Sequence, residues 1–209
     1  MISQSSLEKN RTMQLEIPAA AFRAYIFDCD GTIVDSMPLH YRAWKAALAE
    51  WNCDFPEDLF YSWGGKPVRN IIADLNQMHG LNMPIDSLAT RKEALYLAQL
   101  PSLKVIPEVV EHINAQYGRI PFAVASGSRP DSVIGSLTAV GLLDKFDAFV
   151  SAGDYKNPKP APDCFLLAAE KLGVAPKDCL VFEDTQLGIQ AANAAGMASV
   201  MVPFIMHRS

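Results

Sequence analysis

Several large protein classes are disfavoured by what this sequence lacks. Cysteine is scarce: Cys29, Cys53, Cys164 and Cys179 are the four in 209 residues, and none is spaced Cys-x-x-Cys. A zinc cage therefore has no framework, and a chain of this length does not need disulfide staples. The thiols are expected to be reduced and mostly buried, as in cytoplasmic proteins. Cys29 stands between two aspartates whose charge opposes a thiolate, which argues against a nucleophilic cysteine. Positive charge is not in excess either: 18 Lys and Arg face 23 Asp and Glu, for a net charge of -5. That balance disfavours nucleic acid as a partner. No apolar run is longer than a strand, so no membrane span is expected. The polar stretch Met1 to Arg11 lacks the apolar core of a secretory signal. Internal repeats and low-complexity tracts are absent.

What is present is a core-forming composition, half hydrophobic and one-fifth charged. Five short runs read as strands: Ala24–Phe27, Phe122–Ala125, Ala148–Val150, Cys179–Phe182 and Ser199–Val202. Each is apolar nearly throughout, as parallel strands covered on both faces should be. Helical stripes fill the gaps. They include Ile106, Val109, Val110, Ile113 and Tyr117 before the second run, and Val133, Ile134, Leu137 and Val140 before the third. Alternating strands and helices predict an α/β fold, a Rossmann-like parallel sheet with helices on both faces. Residues 36–104 break the rhythm, because a βα connection usually has only about 2–6 residues. They carry helical stripes of their own: Tyr41, Trp44, Leu48 and Trp51, then Val68, Ile71, Ile72, Leu75 and Met78, then a less regular one from Leu88 to Leu100. Ser36 before Pro38 marks a helix start. The expected organisation is an N-terminal extension over 1–20, a core over 21–35 and 105–209, and a small α-helical cap over 36–104. The cap leaves and rejoins the sheet at the end of strand one, where it should cover that end as a lid.

The carboxyl ends of two strands carry acids. The first runs into Asp28-Cys29-Asp30-Gly31-Thr32, and the fourth into Glu183-Asp184. Open parallel sheets bind ligands beyond these ends. Four carboxylates beside apolar strands need compensation, because an unpaired buried charge costs several kcal/mol. Lys159, in a proline-rich loop, supplies one positive charge. A divalent cation would supply the rest, and carboxylate oxygens suit magnesium. Each piece has a plainer reading. Asp-Gly is a turn signal, Glu183-Asp184 suits a helix N-terminus, Ser126 could be an N-cap, and Lys159 could be a solvated loop charge. A calcium loop does not fit, since Thr32 and Leu39 stand where it needs oxygen ligands. The plainer readings would all have to hold together at the ends of neighbouring strands.

In this order, Asp28-Cys29-Asp30-Gly31-Thr32, Ser126, Lys159 and Glu183-Asp184 resemble the four motifs of the haloacid dehalogenase superfamily of phosphotransferases. The likeness covers about residues 22–203, and the insert resembles that family's helical cap. Leu39-His40-Tyr41-Arg42-Ala43-Trp44 and Val181-Phe182-Glu183-Asp184-Thr185-Gln186-Leu187-Gly188 are similar to its branch of β-phosphoglucomutase and sugar-phosphate phosphatases. The resemblance implies a magnesium-dependent enzyme acting on a small phosphorylated substrate, with nothing demanding more than a monomer or weak oligomer. Asp28 would be the nucleophile, forming an aspartyl-phosphate, and Asp30 the general acid and then base. Magnesium would lie on the Asp28 side chain, the Asp30 carbonyl and the Asp184 side chain, with Glu183 behind it through water. Ser126 and Lys159 would hold the transferring phosphoryl group. Gly31, Thr32 and Gly127 would offer it backbone N–H groups. His40 would link Asp30 to cap closure.

The same core serves hydrolases and mutases. A mutase must also hold a second, non-reacting phosphate, and its branch uses a cap-loop arginine. In the loop Trp63-Gly64-Gly65-Lys66-Pro67-Val68-Arg69, Pro67 aligns with that arginine, and Arg69 lies two residues later. Lys66-Pro67 therefore fits a phosphatase, while Ser128 and Arg129 keep a phosphohexomutase as the alternative. A receiver-like signalling domain also joins an acidic pair, an acceptor Asp, a Ser/Thr and a Lys. There the pair precedes the acceptor and no large cap is needed.

Overall fold

The computed structural model describes residues 15–203. Five strands form one parallel sheet: β1 (Ala24–Phe27), β2 (Phe122–Ala125), β3 (Ala148–Val150), β4 (Cys179–Glu183) and β5 (Ala198–Met201), in the order β3-β2-β1-β4-β5. Each strand end matches the apolar runs to within one residue. The register sets Phe27 opposite Val124 on one side and Phe182 on the other. Chain direction across the sheet reverses between β1 and β4, so the crevice beyond their carboxyl ends is the place where such sheets bind ligands.

Side chains alternate across the strands, as the pleat requires. Tyr25, Phe27, Phe122, Val124 and Phe182 face α5 (Pro107–Gln116) and α6 (Pro130–Ala139), with Phe27 and Phe182 stacked 4.6 Å apart. Ala24, Ile26, Ala123, Ala125 and Val181 face α7 (Asp163–Leu172) and α8 (Gln186–Ala194) through Cys164, Phe165, Ala168 and Ala191. The small residues on this second face let helices approach closely. This is the expected three-layer α/β arrangement. Three residues of the helical stripes lie further out than the periodicity predicts: Met78, Tyr117 and Ile134 are exposed.

Between β1 and α5 lie α1 (Met37–Leu48), α2 (Glu57–Ser62), α3 (Val68–His79) and α4 (Ile85–Leu97). They enclose an apolar cluster of their own, built on Trp44, Leu48, Phe55, Phe60, Ile72, Leu75 and Leu88. Entry and exit run side by side: the Asp35 amide donates to the Lys104 carbonyl (2.9 Å), and the Ile106 amide to the Ile33 carbonyl (2.9 Å). Residues 1–14 of the N-terminal extension lie outside the described residues. Leu15, Ile17 and Phe22 pack partly buried against the first core cluster. Among the described residues no helix is long and apolar enough to cross a membrane.

Candidate active site

β1 delivers Asp28 and β4 delivers Glu183 and Asp184 to the same crevice. The Asp28 amide donates to the Phe182 carbonyl (2.9 Å), continuing the ladder one residue beyond the strand. One oxygen from each of Asp28, Glu183 and Asp184 lies within 4.8 Å of the others. Lys159, buried in the loop before α7, answers this charge. Its Nζ donates to Asp28 Oδ1 (2.7 Å), Glu183 Oε1 (2.7 Å) and the Ala125 carbonyl (3.2 Å), which uses all three of its protons. Burial alone would lower the Lys159 pKa, but Asp28 and Glu183 outweigh it and hold the ammonium firmly protonated. Burial raises the Asp28 carboxyl well above its usual range, against Lys159, with help from Glu183, Asp184 and Asp30. Asp184 is pushed up to about 7, by burial first and then by Glu183, against the Thr32 hydrogen bond. One lysine therefore does not neutralise the cluster.

Both oxygens of Glu183 are engaged, the first by Lys159. Its second oxygen accepts from the Thr185 amide (2.6 Å) and the Thr185 hydroxyl (2.8 Å). Thr185 Oγ1 in turn accepts from the Gly188 amide (3.0 Å), so it caps α8. This packing explains the glycine: a Cβ at 188 would stand 1.8 Å from Glu183 Cδ. Gly188→Ala is therefore expected to displace Glu183 and destabilise the fold by about 1–3 kcal/mol. The shift of the urea unfolding midpoint measures it, and an unchanged midpoint would show that Glu183 has another place to go.

Asp30 occupies the other wall. Its Oδ1 accepts from Ser36 Oγ (2.6 Å) and His40 Nε2 (3.1 Å), and its Oδ2 from Ser128 Oγ (2.5 Å). Burial pushes its carboxyl up, but His40, through its charge whenever the ring is protonated and through its hydrogen bond, together with Ser128 and Ser36 outweighs burial and holds the carboxyl well below its usual range. Lys92 Nζ lies 2.8 Å from His40 Nδ1. An ammonium only donates, so Nδ1 accepts and Nε2 carries the proton given to Asp30. Burial first, then Lys92, lowers the His40 pKa and favours the neutral ring.

A cavity of about 590 Å³ joins these walls, and α1 to α3 form its roof. Asp28, Asp30, His40, Ser126, Gly127, Ser128, Lys159, Glu183 and Asp184 line it, with Trp44, Phe60, Tyr61, Trp63 and Lys66 from the insert. Ser126 Oγ accepts from the Ser128 amide (3.0 Å), which leaves its own proton to give. Lys66 lies 4.1 Å over the Trp63 ring and pairs with Asp74. Other expected residues are not brought together. Arg69 is exposed and pairs with Asp86, while Arg129 is exposed and pairs with Asp131 (3.7 Å). The Gly31 amide closes a turn onto the Val34 carbonyl (2.8 Å), and the Thr32 amide points to the Cys29 carbonyl (3.4 Å). Those two N–H groups therefore close the turn and do not face the cavity. Gly31 instead makes room: its φ is +84°, and a Cβ there would lie 2.3 Å from Asp184 Oδ2. Thr32 serves through its hydroxyl, which donates to Asp184 Oδ1 (3.0 Å).

Sequence reasoning missed Ser36 as a partner of Asp30, and it missed Thr185, Lys92 and Glu93. Ser36 precedes α1 but makes no side-chain cap bond, because its hydroxyl is spent on Asp30. Thr185 is open to detection as a threonine at the start of the helical stripe Leu187, Ala191 and Ala194.

Carboxylates and a lysine at the switch point of a parallel sheet, under a helical insert, are the makings of an α/β enzyme. The chain belongs to the haloacid dehalogenase-like hydrolases, whose family it matches over residues 22–196. Fructose-1-phosphate phosphatase YqaB of Escherichia coli (strain K12) is 38% identical over 182 residues, covering 87% of this chain and 96% of that protein. The phosphorylated carbohydrates phosphatase of Thermotoga maritima is 28% identical, over 85% of this chain and 83% of that one. The solved structure of β-phosphoglucomutase from Clostridium difficile matches with a TM-score of 0.76 at 28% identity, covering 85% of this chain and 83% of that one.

Proposed function

We propose that this protein is a magnesium-dependent phosphatase of a small phosphorylated metabolite, a sugar phosphate foremost, working through an aspartyl-phosphate. The observation that carries this reading is the undercompensated trio of Asp28, Glu183 and Asp184 around one lysine, with Asp30 held across the same cavity. The donor set fits a hard divalent cation: three carboxylates face a single ammonium. Asp28, Asp184 and the Asp30 carbonyl would hold magnesium, which when bound supplies positive charge to the acids and to the phosphoryl group. Glu183, with both oxygens taken, stands behind it and anchors Lys159.

In this reading Asp28, oriented by Lys159, attacks phosphorus. An Asp28–phosphorus bond forms, the ester P–O bond breaks, and Asp30 gives a proton to the departing alcohol. Water then attacks the intermediate, Asp30 takes its proton, and phosphate leaves as the Asp28 carboxylate is restored. Three donors on Asp30 suit its base half. The acid half needs Asp30 to take up a proton and release at least one of them. Ser126 and Lys159 offer a hydroxyl and a charge to the phosphoryl oxygens. The aromatic roof of Trp44, Phe60, Tyr61 and Trp63 suits the faces of a small sugar and excludes water.

Hydrolysis is favoured over mutase chemistry by the basic residues near the roof. Lys66 is engaged by Asp74 and Trp63, and Arg69 by Asp86 on the surface, so neither stands ready for a second phosphate. The test is a panel of phosphorylated metabolites including fructose 1-phosphate and β-glucose 1-phosphate, the latter with and without glucose 1,6-bisphosphate. Release of free phosphate is expected with magnesium. Chelation with EDTA should remove it and added magnesium restore it. Isomerised sugar without phosphate release would replace this reading with the mutase, and EDTA-resistant turnover would remove the metal from it.

A further inference from the structure

Helix α4 carries Lys92 and Glu93 in succession, both buried. Adjacent helical residues do not ordinarily face each other, yet Lys92 Nζ donates to Glu93 Oε1 (2.9 Å) as well as to His40 Nδ1 (2.8 Å). The second Glu93 oxygen reaches out of the insert and accepts from Ser132 Oγ (2.7 Å) on core helix α6. One turn further along both helices, the Tyr96 hydroxyl lies 2.7 Å from Ser136 Oγ. Ser136 gives its proton to the Ser132 carbonyl (2.6 Å), so Tyr96 is the donor. The Tyr96 ring stacks on His40 with centroids 3.8 Å apart. The two α4 residues that grip the core thus also hold His40, Glu93 through Lys92 and Tyr96 by its face. Core segment 128–136 completes the arrangement: Ser128 donates to the Asp30 oxygen that His40 does not touch.

We propose that Glu93 and Ser132, seconded by Tyr96 and Ser136, form a latch between insert and core that positions His40 against Asp30. All four are positioning residues, since none of them touches the reacting atoms. With the latch made, His40 and Ser128 approach Asp30 from opposite sides, and its carboxyl is fixed towards the cavity. With the latch lost, the insert can part from α6 at Ser132, and the Lys92 and Tyr96 side chains that hold His40 are no longer tied to the core. The inference rests on the reading of Asp30 as acid and base given above.

The experiment compares leaving groups. An alkyl phosphate such as a sugar phosphate needs a proton on its departing oxygen, whereas p-nitrophenol leaves without one. Ser132→Ala should therefore lower kcat/KM for the sugar phosphate about tenfold, a fraction of the 10²–10⁴ that general acid catalysis contributes. It should leave kcat/KM for p-nitrophenyl phosphate within about twofold, a selective loss that a fall in folded or active fraction alone would not give. Glu93→Gln, which keeps an acceptor for Ser132 but loses the charge facing Lys92, should show the same selective loss. Equal losses on both substrates, or no loss on either, would overturn the latch. Asp30→Asn separates this from the reading beneath it. If that variant shows the selective loss and Ser132→Ala does not, the acid role stands and the latch falls. If Asp30→Asn loses nothing on the sugar phosphate, the acid role itself is wrong.

Discussion

Asp28→Asn is expected to abolish turnover, by roughly 10⁴-fold or more in kcat, the scale on which loss of a covalent nucleophile acts. An amide oxygen is a poor nucleophile towards phosphorus, and no neighbour replaces it. Glu183 has both oxygens engaged, Asp184 is tied to Thr32, and Asp30 is held by three donors on the far wall. The fold should tolerate the change. Asp28 suffers repulsion from Glu183, Asp184 and Asp30 beyond what its burial already costs. The asparagine removes that repulsion, and Lys159 keeps Glu183 and the Ala125 carbonyl as partners. The variant should therefore unfold at a urea concentration no lower than the wild type in metal-free buffer. Its loss should appear in the first chemical step: brief exposure to radiolabelled substrate should label the wild-type protein and not the variant. Hydrolysis within tenfold of wild type would transfer the nucleophile's role elsewhere.

The legible parts of this fold were those whose cause is local. The strands stood out because a strand buried on both faces is apolar at every position, and Tyr25-Ile26-Phe27 and Leu180-Val181-Phe182 can hardly be anything else. The acids stood out because they follow these runs directly. Helix α4 is irregular in sequence for a physical reason: Lys92 and Glu93 interrupt its apolar stripe while being buried, and their partners, His40 and Ser132, lie 52 and 39 residues away in sequence. The positions of Arg69 and Arg129 depended on which carboxylate each would find, Asp86 and Asp131, rather than on their own neighbourhood. Gly31 was singled out for its amide, but its function is to have no side chain beside Asp184. A one-dimensional reading locates charges well. It does not tell which lone pairs are already spent.

Lys159→Ala should be strongly destabilising. Removing one partner from a buried charge network costs about 3–5 kcal/mol, because the charges left behind have no solvent to turn to. Here Asp28 and Glu183 each lose a 2.7 Å bond, and Asp184 loses a nearby positive charge. The pH dependence follows from the direction of the shifts. Asp28 is raised in the folded state, and Asp184 is raised from 3.8 to about 7. A carboxyl with a raised folded pKa favours the native state below its unfolded pKa, and that contribution is lost as pH rises through the folded value. Lys159 opposes both shifts, so its removal raises them further. The stability deficit of the variant should therefore be largest at pH 8 and shrink towards pH 5, the reverse of an acid-labile salt bridge. Urea unfolding of both proteins across that range measures it. Magnesium should narrow the gap at pH 8, since it restores positive charge to the same carboxylates. If the variant matches the wild type at pH 8 without metal, Lys159 compensates nothing and the acids are stabilised by some other means.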